Sequence, residues 1–330
     1  MKKLINGICL GFVLLLSLNS CKKKEIPDVE FAAEMRKFII NLSFHARATN
    51  PNFIIIPQNG AKLMSIDEEN SAIPDLDYLA AIDGQGQEDL FFGYDKDDKA
   101  SDLAFQNELI PFLKLGQNNG IKILVTDYCS SSDNIANSKT NNEKKDYISF
   151  RAPDRNLTVI PETDVFYDNE NDILTLSDAK NFLYLINPNN YEIRDDFISA
   201  LNATNYDAFI IDLFDFHSNP LAKSDIEILQ TKPNGAKRLV IAYMSIGEAE
   251  DYRYYWDPKW KKRKNEPEWL YAENKDWKGN FKVFYWMPDW QKIIFGNQDS
   301  YLDRIIDTGF DGVYLDIVDA YEFFDEEKNK

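Results

Sequence analysis

The sequence predicts one α/β domain built as a (β/α)8 TIM barrel, and three observations carry that prediction. Short apolar runs recur along the chain, most are separated by segments of helix length, and several end in a carboxylate. A parallel strand buried on both faces is a near-continuous apolar run. A barrel alternates such runs with helices and gathers their C-terminal ends at one mouth, where its chemistry sits. The clearest case is the stretch 238–256, RLVIAYMSIGEAEDYRYYW. Its apolar run gives way to Ser245, Gly247, Glu248, Glu250 and Asp251, and then to a cluster of rings.

Taken in order, residues 30–50 predict an amphipathic helix, with Phe31, Met35, Phe38, Ile39 and Leu42 on one face and Asn50-Pro51-Asn52 as its stop. Residues 53–57 (FIIIP) form the first predicted strand, followed by Gln58-Asn59-Gly60. Residues 78–82 (YLAAI) form the second, leading into Asp83-Gly84 with Glu88 a few positions on. A helix is expected over 101–119, capped by Ser101 or Asp102, stopped by Asn119-Gly120 and kinked at Pro111. Residues 121–126 (IKILVT) are the third strand, ending in Asp127-Tyr128. The polar stretch 130–150 is expected to be a long surface loop, and 157–160 a short extra strand. The fourth strand is 181–186 (NFLYLI), with a helix after it that buries Phe197, Ile198 and Leu201. The fifth is 208–211, ending in Asp212 and then Asp215; the sixth is 238–244; the seventh is 281–286 (FKVFYW). A helix over 301–308 closes on Gly309, and 312–315 (GVYL) is the eighth strand, leading to Asp316 and Asp319. A doubly wound open sheet is the competing fold. It calls for a glycine-rich phosphate turn after an early strand, and the chain has neither G-x-G-x-x-G nor a P-loop.

With 330 residues and 44% hydrophobic content the chain is able to bury a large core. Residues 1–20 are expected to lie outside that core. Lys2 and Lys3 precede an apolar segment too short to span a membrane comfortably, which ends at Leu18-Asn19-Ser20-Cys21. The pattern reads as a secretory signal, and its end resembles a bacterial lipobox, with lipid expected on Cys21. Residues 21–30 would then be a tether and 31–330 the domain of an exported, membrane-anchored lipoprotein. Cys129 is the remaining thiol and is expected to be a small buried residue. The net charge of −18 argues against nucleic acid as a partner and suits a cationic ligand such as an amino sugar, although acidity also serves solubility. A monomer is expected.

A barrel would bring Asn59, Asp83, Glu88, Asp127, Asp212, Asp215, Glu248, Asp316 and Asp319 to one face. Crowded carboxylates repel, which separates their pKa values and sorts an acid from a base. Glycoside hydrolysis needs such a pair. Asp212, Glu248 and Asp316 follow the most apolar strands and are the catalytic candidates. Asn59, Asp83, Glu88, Tyr128, Asp215, Ser245 and Asp319 are candidates to contact substrate. The plainer alternatives are that Asp127 and Asp215 cap helices and that Asp251 pairs with Arg253. All six tryptophans lie between 256 and 290. Rings stack on sugar faces, so Tyr285 and Trp286 are the best ligand contacts, with the remainder expected to staple a loop. No metal or other cofactor is expected, because His45 and His217 are the only histidines; an all-carboxylate cation site at Asp212, Asp316 and Asp319 is the alternative. Ser245 with His217 as a serine hydrolase lacks a G-x-S-x-G turn.

Several stretches then form one resemblance: PQNG at 57–60, AIDGQGQEDLFFG at 81–93, DAFIIDLFD at 207–215, AYMSIGEAEDYRYYW at 242–256, WKGNFKVFYW at 277–286 and GFDGVYLDIVDAYE at 309–322. The chain resembles glycoside hydrolase family 114, the endo-α-1,4-polygalactosaminidase group, and especially its bacterial and archaeal branch. The resemblance implies a (β/α)8 barrel with acidic catalysis on α-linked galactosamine polymers. It carries Asp212 over from IDLFD, Glu248 from GEAEDYR, and Asp316 and Asp319 from DGVYLDIVD. The chain departs from the pattern at Tyr314, where the group tends to have an acidic residue, and at Gly279-Asn280, where it tends to have Gly-Glu; Tyr314 is therefore a candidate substrate contact. The expected function is hydrolysis of an amino-sugar-containing polysaccharide. A glycan-binding lipoprotein without catalysis is the alternative, and a scaffold lipoprotein a third. A carboxyl pair roughly 5–10 Å apart favours the enzyme, carboxylates all pinned by Arg and Lys favour binding, and an exposed apolar patch favours the scaffold.

Overall fold

The structure, a computed structural model, describes residues 24–162 and 165–330. The signal segment 1–20 and the lipidation candidate Cys21 lie outside the described residues. Within them the strands, in chain order, are β1 (Ile54–Pro57), β2 (Gly84–Glu88), β3 (Lys122–Tyr128), β4 (Ile148–Ala152), β5 (Phe182–Leu185), β6 (Ala208–Asp212) and β7 (Leu239–Ser245). Three short strands follow, β8 (Glu248–Glu250), β9 (Leu270–Glu273) and β10 (Asn280–Val283), and then β11 (Gly312–Asp316).

Two parallel ladders make the wall: β2-β3-β4, and β1-β11-β7-β6-β5. They meet between β1 and β2, where Gln58 bridges Gly86, the Asn59 N–H donates to the Gly86 carbonyl at 2.9 Å and the Asp83 N–H donates to the Ile55 carbonyl at 2.9 Å. Eight parallel strands thus follow one another in the order of a (β/α)8 barrel. The hydrogen-bonded wall is not closed: no ladder joins β4 to β5 among the described residues. Parallel register carries every strand terminus to the same end, with Asp316 beside Ser245, Asp212 beside Tyr243, and Glu88 beside Thr126.

The helices that cover the wall largely follow the expected signals. α1 (Phe31–Thr49) buries Phe31, Met35, Phe38, Ile39 and Leu42. α2 is Leu76–Ala81. α3 (Leu103–Asn118) starts at Asp102, whose carboxylate accepts the Ala104 N–H, and carries Pro111 inside it. α4 (Ser132–Glu143), α5 (Arg194–Asn202), α6 (Lys223–Leu229) and α7 (Pro288–Ile294) come next. α8 (Tyr301–Thr308) stops at Gly309, which has the left-handed φ of 94° that a glycine adopts freely. α9 (Ala320–Lys328) packs back against α1, where Phe324 meets Phe31.

Two of the eight barrel strands are not those that the apolar runs predict. Residues 78–82 lie mostly in α2, because the Asp75 carboxylate accepts the Tyr78 N–H and starts a helix there. A short apolar run fits a buried helix as well as a strand. The actual second strand is GQGQE, whose Gly86 makes room for a ring from β11, two strands along the wall: a Cβ on Gly86 would lie 2.1 Å from the Tyr314 hydroxyl oxygen. The expected surface loop 130–150 is instead α4 and β4. Hydrogen bonds fasten this polar helix: Ser138 and Asn142 are buried and both donate to Asp127. No strand forms over 157–160. The expected seventh strand leaves the barrel, since β10 pairs antiparallel with β8 and β9 in a separate sheet.

Candidate active site

The site is organised by a residue that the sequence did not single out. Gln58, directly after β1 and 2% exposed, donates from one Nε2 to Glu88 Oε2 at 2.6 Å and to Asp316 Oδ1 at 3.0 Å. Its orientation is fixed from behind, because the Tyr184 hydroxyl donates to Gln58 Oε1 at 2.8 Å. Two carboxyl groups from opposite ends of the chain therefore share one amide nitrogen. Their bonded oxygens are no farther apart than those two bonds laid end to end, which is closer than an inverting glycosidase pair and admits a retaining one.

Glu88 also accepts from the Tyr128 hydroxyl. Asp316 accepts from the Tyr243 hydroxyl at 2.7 Å and from the Ile317 N–H at 2.8 Å. Neither carboxyl has a Lys or Arg partner among the described residues. Burial, reinforced by the Asp316 charge, pushes Glu88 up to about 8. Burial pushes Asp316 up to about 6; the hydrogen bond from Tyr243 opposes it and the charges of Glu248 and Glu250 add to it. Burial and repulsion from Asp316 and Glu322 place Asp319 at about 7. The backbone is strained here: Ile317 has φ of 59°, a left-handed conformation that is rare for a β-branched residue. Gly247 lets that loop approach, since a Cβ there would lie 2.1 Å from the Ile317 carbonyl oxygen.

The other catalytic candidates stand at the same end but are held by cations. Asp212 accepts two hydrogen bonds from Arg253, at 2.9 and 2.7 Å, and one from the Phe214 N–H at 2.9 Å. Arg253 also pairs with Glu250 at 2.6 Å, so the partner expected for it, Asp251, is replaced; Asp251 pairs with Lys261. Burial raises the Asp212 carboxyl while Arg253 opposes it. Glu248 is fully buried, with Oε1 accepting from Lys282 at 2.7 Å and Asn274 at 2.8 Å and Oε2 without a partner.

The binding candidates divide similarly. Asn59 accepts the Glu88 N–H at 3.1 Å and the Gln87 amide at 3.2 Å, so it shapes the rim. Ser245 is buried, and its hydroxyl donates to the Glu248 carbonyl at 3.2 Å. Asp215 is taken up by Arg194, at 3.0 and 2.7 Å, and by the turn N–H groups of His217 and Asn219. Tyr314 is fully buried inside the barrel, edge-on to Tyr184. Three expectations need correction. Asp83 precedes β2, at the opposite end of the barrel, where it binds Arg47 at 2.8 Å and the Ile55 N–H at 2.8 Å. Tyr285 is fully buried and donates its hydroxyl to the Phe31 carbonyl at 2.8 Å. Trp286 packs on Phe284, Phe31 and Phe324. Those two rings seal α1 and α9 and face no mouth. Trp256, Trp260, Trp269 and Trp290 pack in sequence, ring on ring, as a staple for the segment after β8.

A cleft of about 350 Å³ opens beside Glu88, lined among others by Asn59, Gln87, Tyr94, Asp319 and Glu322. Tyr94 stacks on Phe105 at 4.1 Å to form one wall. No Lys or Arg lines it, and Gln87 Oε1, buried, has no partner. Among the described residues no group of three or more His, Cys, Asp or Glu side chains is arranged to hold a metal ion. Cys129 is buried and free, its thiol pushed up to about 12 by burial.

Eight sequential parallel strands bring paired carboxyl groups to one mouth, an arrangement that glycoside hydrolysis is able to use. Residues 190–330, somewhat less than half of the chain, match the family model for glycoside-hydrolase family GH114. The chain is also similar to uncharacterized proteins of Methanocaldococcus jannaschii, with 45% identity over 136 residues, and Thermotoga maritima, with 49% over 87 residues. A Deinococcus radiodurans protein is 39% identical over 128 residues. These stretches cover 41%, 26% and 39% of this chain, and 37%, 25% and 38% of the relatives' own lengths.

Proposed function

We propose that the protein is a retaining glycosidase acting on an amino-sugar-containing polysaccharide, with Glu88 and Asp316 as its working pair. The observation that carries the reading is the shared Gln58 amide between two carboxyl groups that burial tunes apart. Near neutral pH Asp316 is ionised and Glu88 holds its proton. The Asp316 carboxylate attacks the anomeric carbon as Glu88 protonates the departing glycosidic oxygen, leaving a glycosyl ester on Asp316. Glu88, now ionised, takes a proton from water as that water cleaves the ester, and the pair is restored. The cleft beside Glu88, which offers acceptors and carboxylates but no cation, supports an amino sugar, and the net charge of −18 agrees. Asp212 and Glu248 act as buried charge holders around Asp316. We further propose export and anchoring through lipid on Cys21, which mass analysis of the membrane-bound protein reads directly.

The test is product formation from deacetylated galactosamine polymer and a panel of other glycans. Glu88→Gln and Asp316→Asn are each expected to lower turnover by about 100-fold or more with the fold intact. Full activity in Glu88→Gln together with loss in Asp212→Asn would move the second role to Asp212. The binding reading draws on the ion pairs at Asp212 and Glu248. It would prevail if glycan is retained but never cut.

A further inference from the structure

The segment between β8 and β10 differs in charge from the remainder of this acidic chain. Residues 259–264 (KWKKRK) hold five cations in six positions, and the β9–β10 turn adds Lys275 and Lys278 around Trp277. All of these except Trp260 are exposed, and Trp277 is 51% exposed. Lys262, Lys264, Lys275 and Lys278 make no ion pair among the described residues. Asp251 draws the two stretches together, since it pairs with Lys261 and its N–H donates to the Gly279 carbonyl at 2.8 Å.

Lys24, the first described residue, is held on this same excursion. Lys24 donates to the carbonyls of Pro267 at 2.6 Å and Leu270 at 2.5 Å, and pairs with Glu266 at 2.8 Å. Residue 24 is thus fastened beside the basic run. A lysine cluster around an exposed tryptophan suits an anionic lipid surface, where ammonium groups meet headgroups and an indole sits at the polar–apolar boundary.

We propose that this excursion is a membrane-docking surface, with Lys262, Lys264, Lys275 and Lys278 on anionic headgroups and Trp277 at the interface. Docking is a property of the folded surface and does not require lipid on Cys21. A chain beginning at Lys22 contains every described element of the fold and serves as the test protein. It is mixed with vesicles of equimolar phosphatidylglycerol and phosphatidylcholine, or of phosphatidylcholine alone, and sedimented. Several-fold greater recovery on the anionic vesicles is expected, declining as salt rises. Lys262→Glu/Lys264→Glu and Lys275→Glu/Lys278→Glu are each expected to fall to the phosphatidylcholine level with unchanged circular dichroism. Equal recovery on both compositions, or double variants that sediment like the parent, would overturn the proposal. So would binding to soluble polyglutamate without binding to vesicles, since the surface would then serve a polymer or protein partner.

Discussion

Asp316 shows how a single hydroxyl adjusts a buried carboxyl. Tyr243 donates to its Oδ2, which favours the ionised form and opposes the upward push of burial. The lower limb of the pH–rate profile should therefore follow Asp316 near 6 and the upper limb Glu88 near 8. Removing the hydroxyl in Tyr243→Phe raises the Asp316 pKa, so the lower limb moves to higher pH while the upper limb stays. An unchanged lower limb in kcat/KM would dissociate Asp316 from that limb. The charged alternatives lack this adjustability, because Arg253 and Lys282 hold Asp212 and Glu248 directly.

At the level of the element, β2 is vulnerable to a single change. Its glycine at 86 faces Tyr314, whose hydroxyl and ring would both collide with an added methyl. Gly86→Ala is expected to destabilise the protein by about 1–3 kcal/mol in denaturant unfolding, and adding Tyr314→Phe should recover part of the loss by removing the nearest atom. The same packing explains what could be read from the chain. β6, β7 and β11 are legible because each carries its own apolar run before a carboxylate, and Asp316 and Tyr128 follow from their positions at strand ends, whereas Glu88 enters only as a carboxylate a few positions beyond a run that is helical. β2 is not legible, because its interior is filled by another strand's ring. α4 is fastened through Ser138 and Asn142, which leave no apolar stripe. Gln58 carries no charge to announce it, and its importance lies wholly in what it joins. Tyr285 and Trp286 look like a sugar platform in sequence because both platforms and cores are made of rings; only their neighbours on α1 and α9 decide between the two.

Across the whole molecule, several buried carboxyls bind their protons more tightly folded than unfolded: Glu88 near 8, Asp319 near 7, and Asp316 and Asp127 near 6. Each contributes stability that is complete below its ordinary unfolded value and is lost as pH rises through the folded one. The melting temperature should thus fall between about pH 5 and about pH 9, and Glu88→Gln should flatten the upper part of that fall. A melting temperature that climbs across the window would contradict these assignments.

Gln58 and Asp316 meet although 258 residues separate them in sequence. β1 takes β11 as its ladder partner, so the opening strand waits for the last one before its edge is covered. A ribosome that delivers the chain from its N-terminus therefore leaves that edge of β1 without its ladder partner until the final strand appears. Fragments from interrupted translation would hold Gln58 and Glu88 without Asp316, so under the proposed chemistry complete synthesis is itself the switch that arms the molecule.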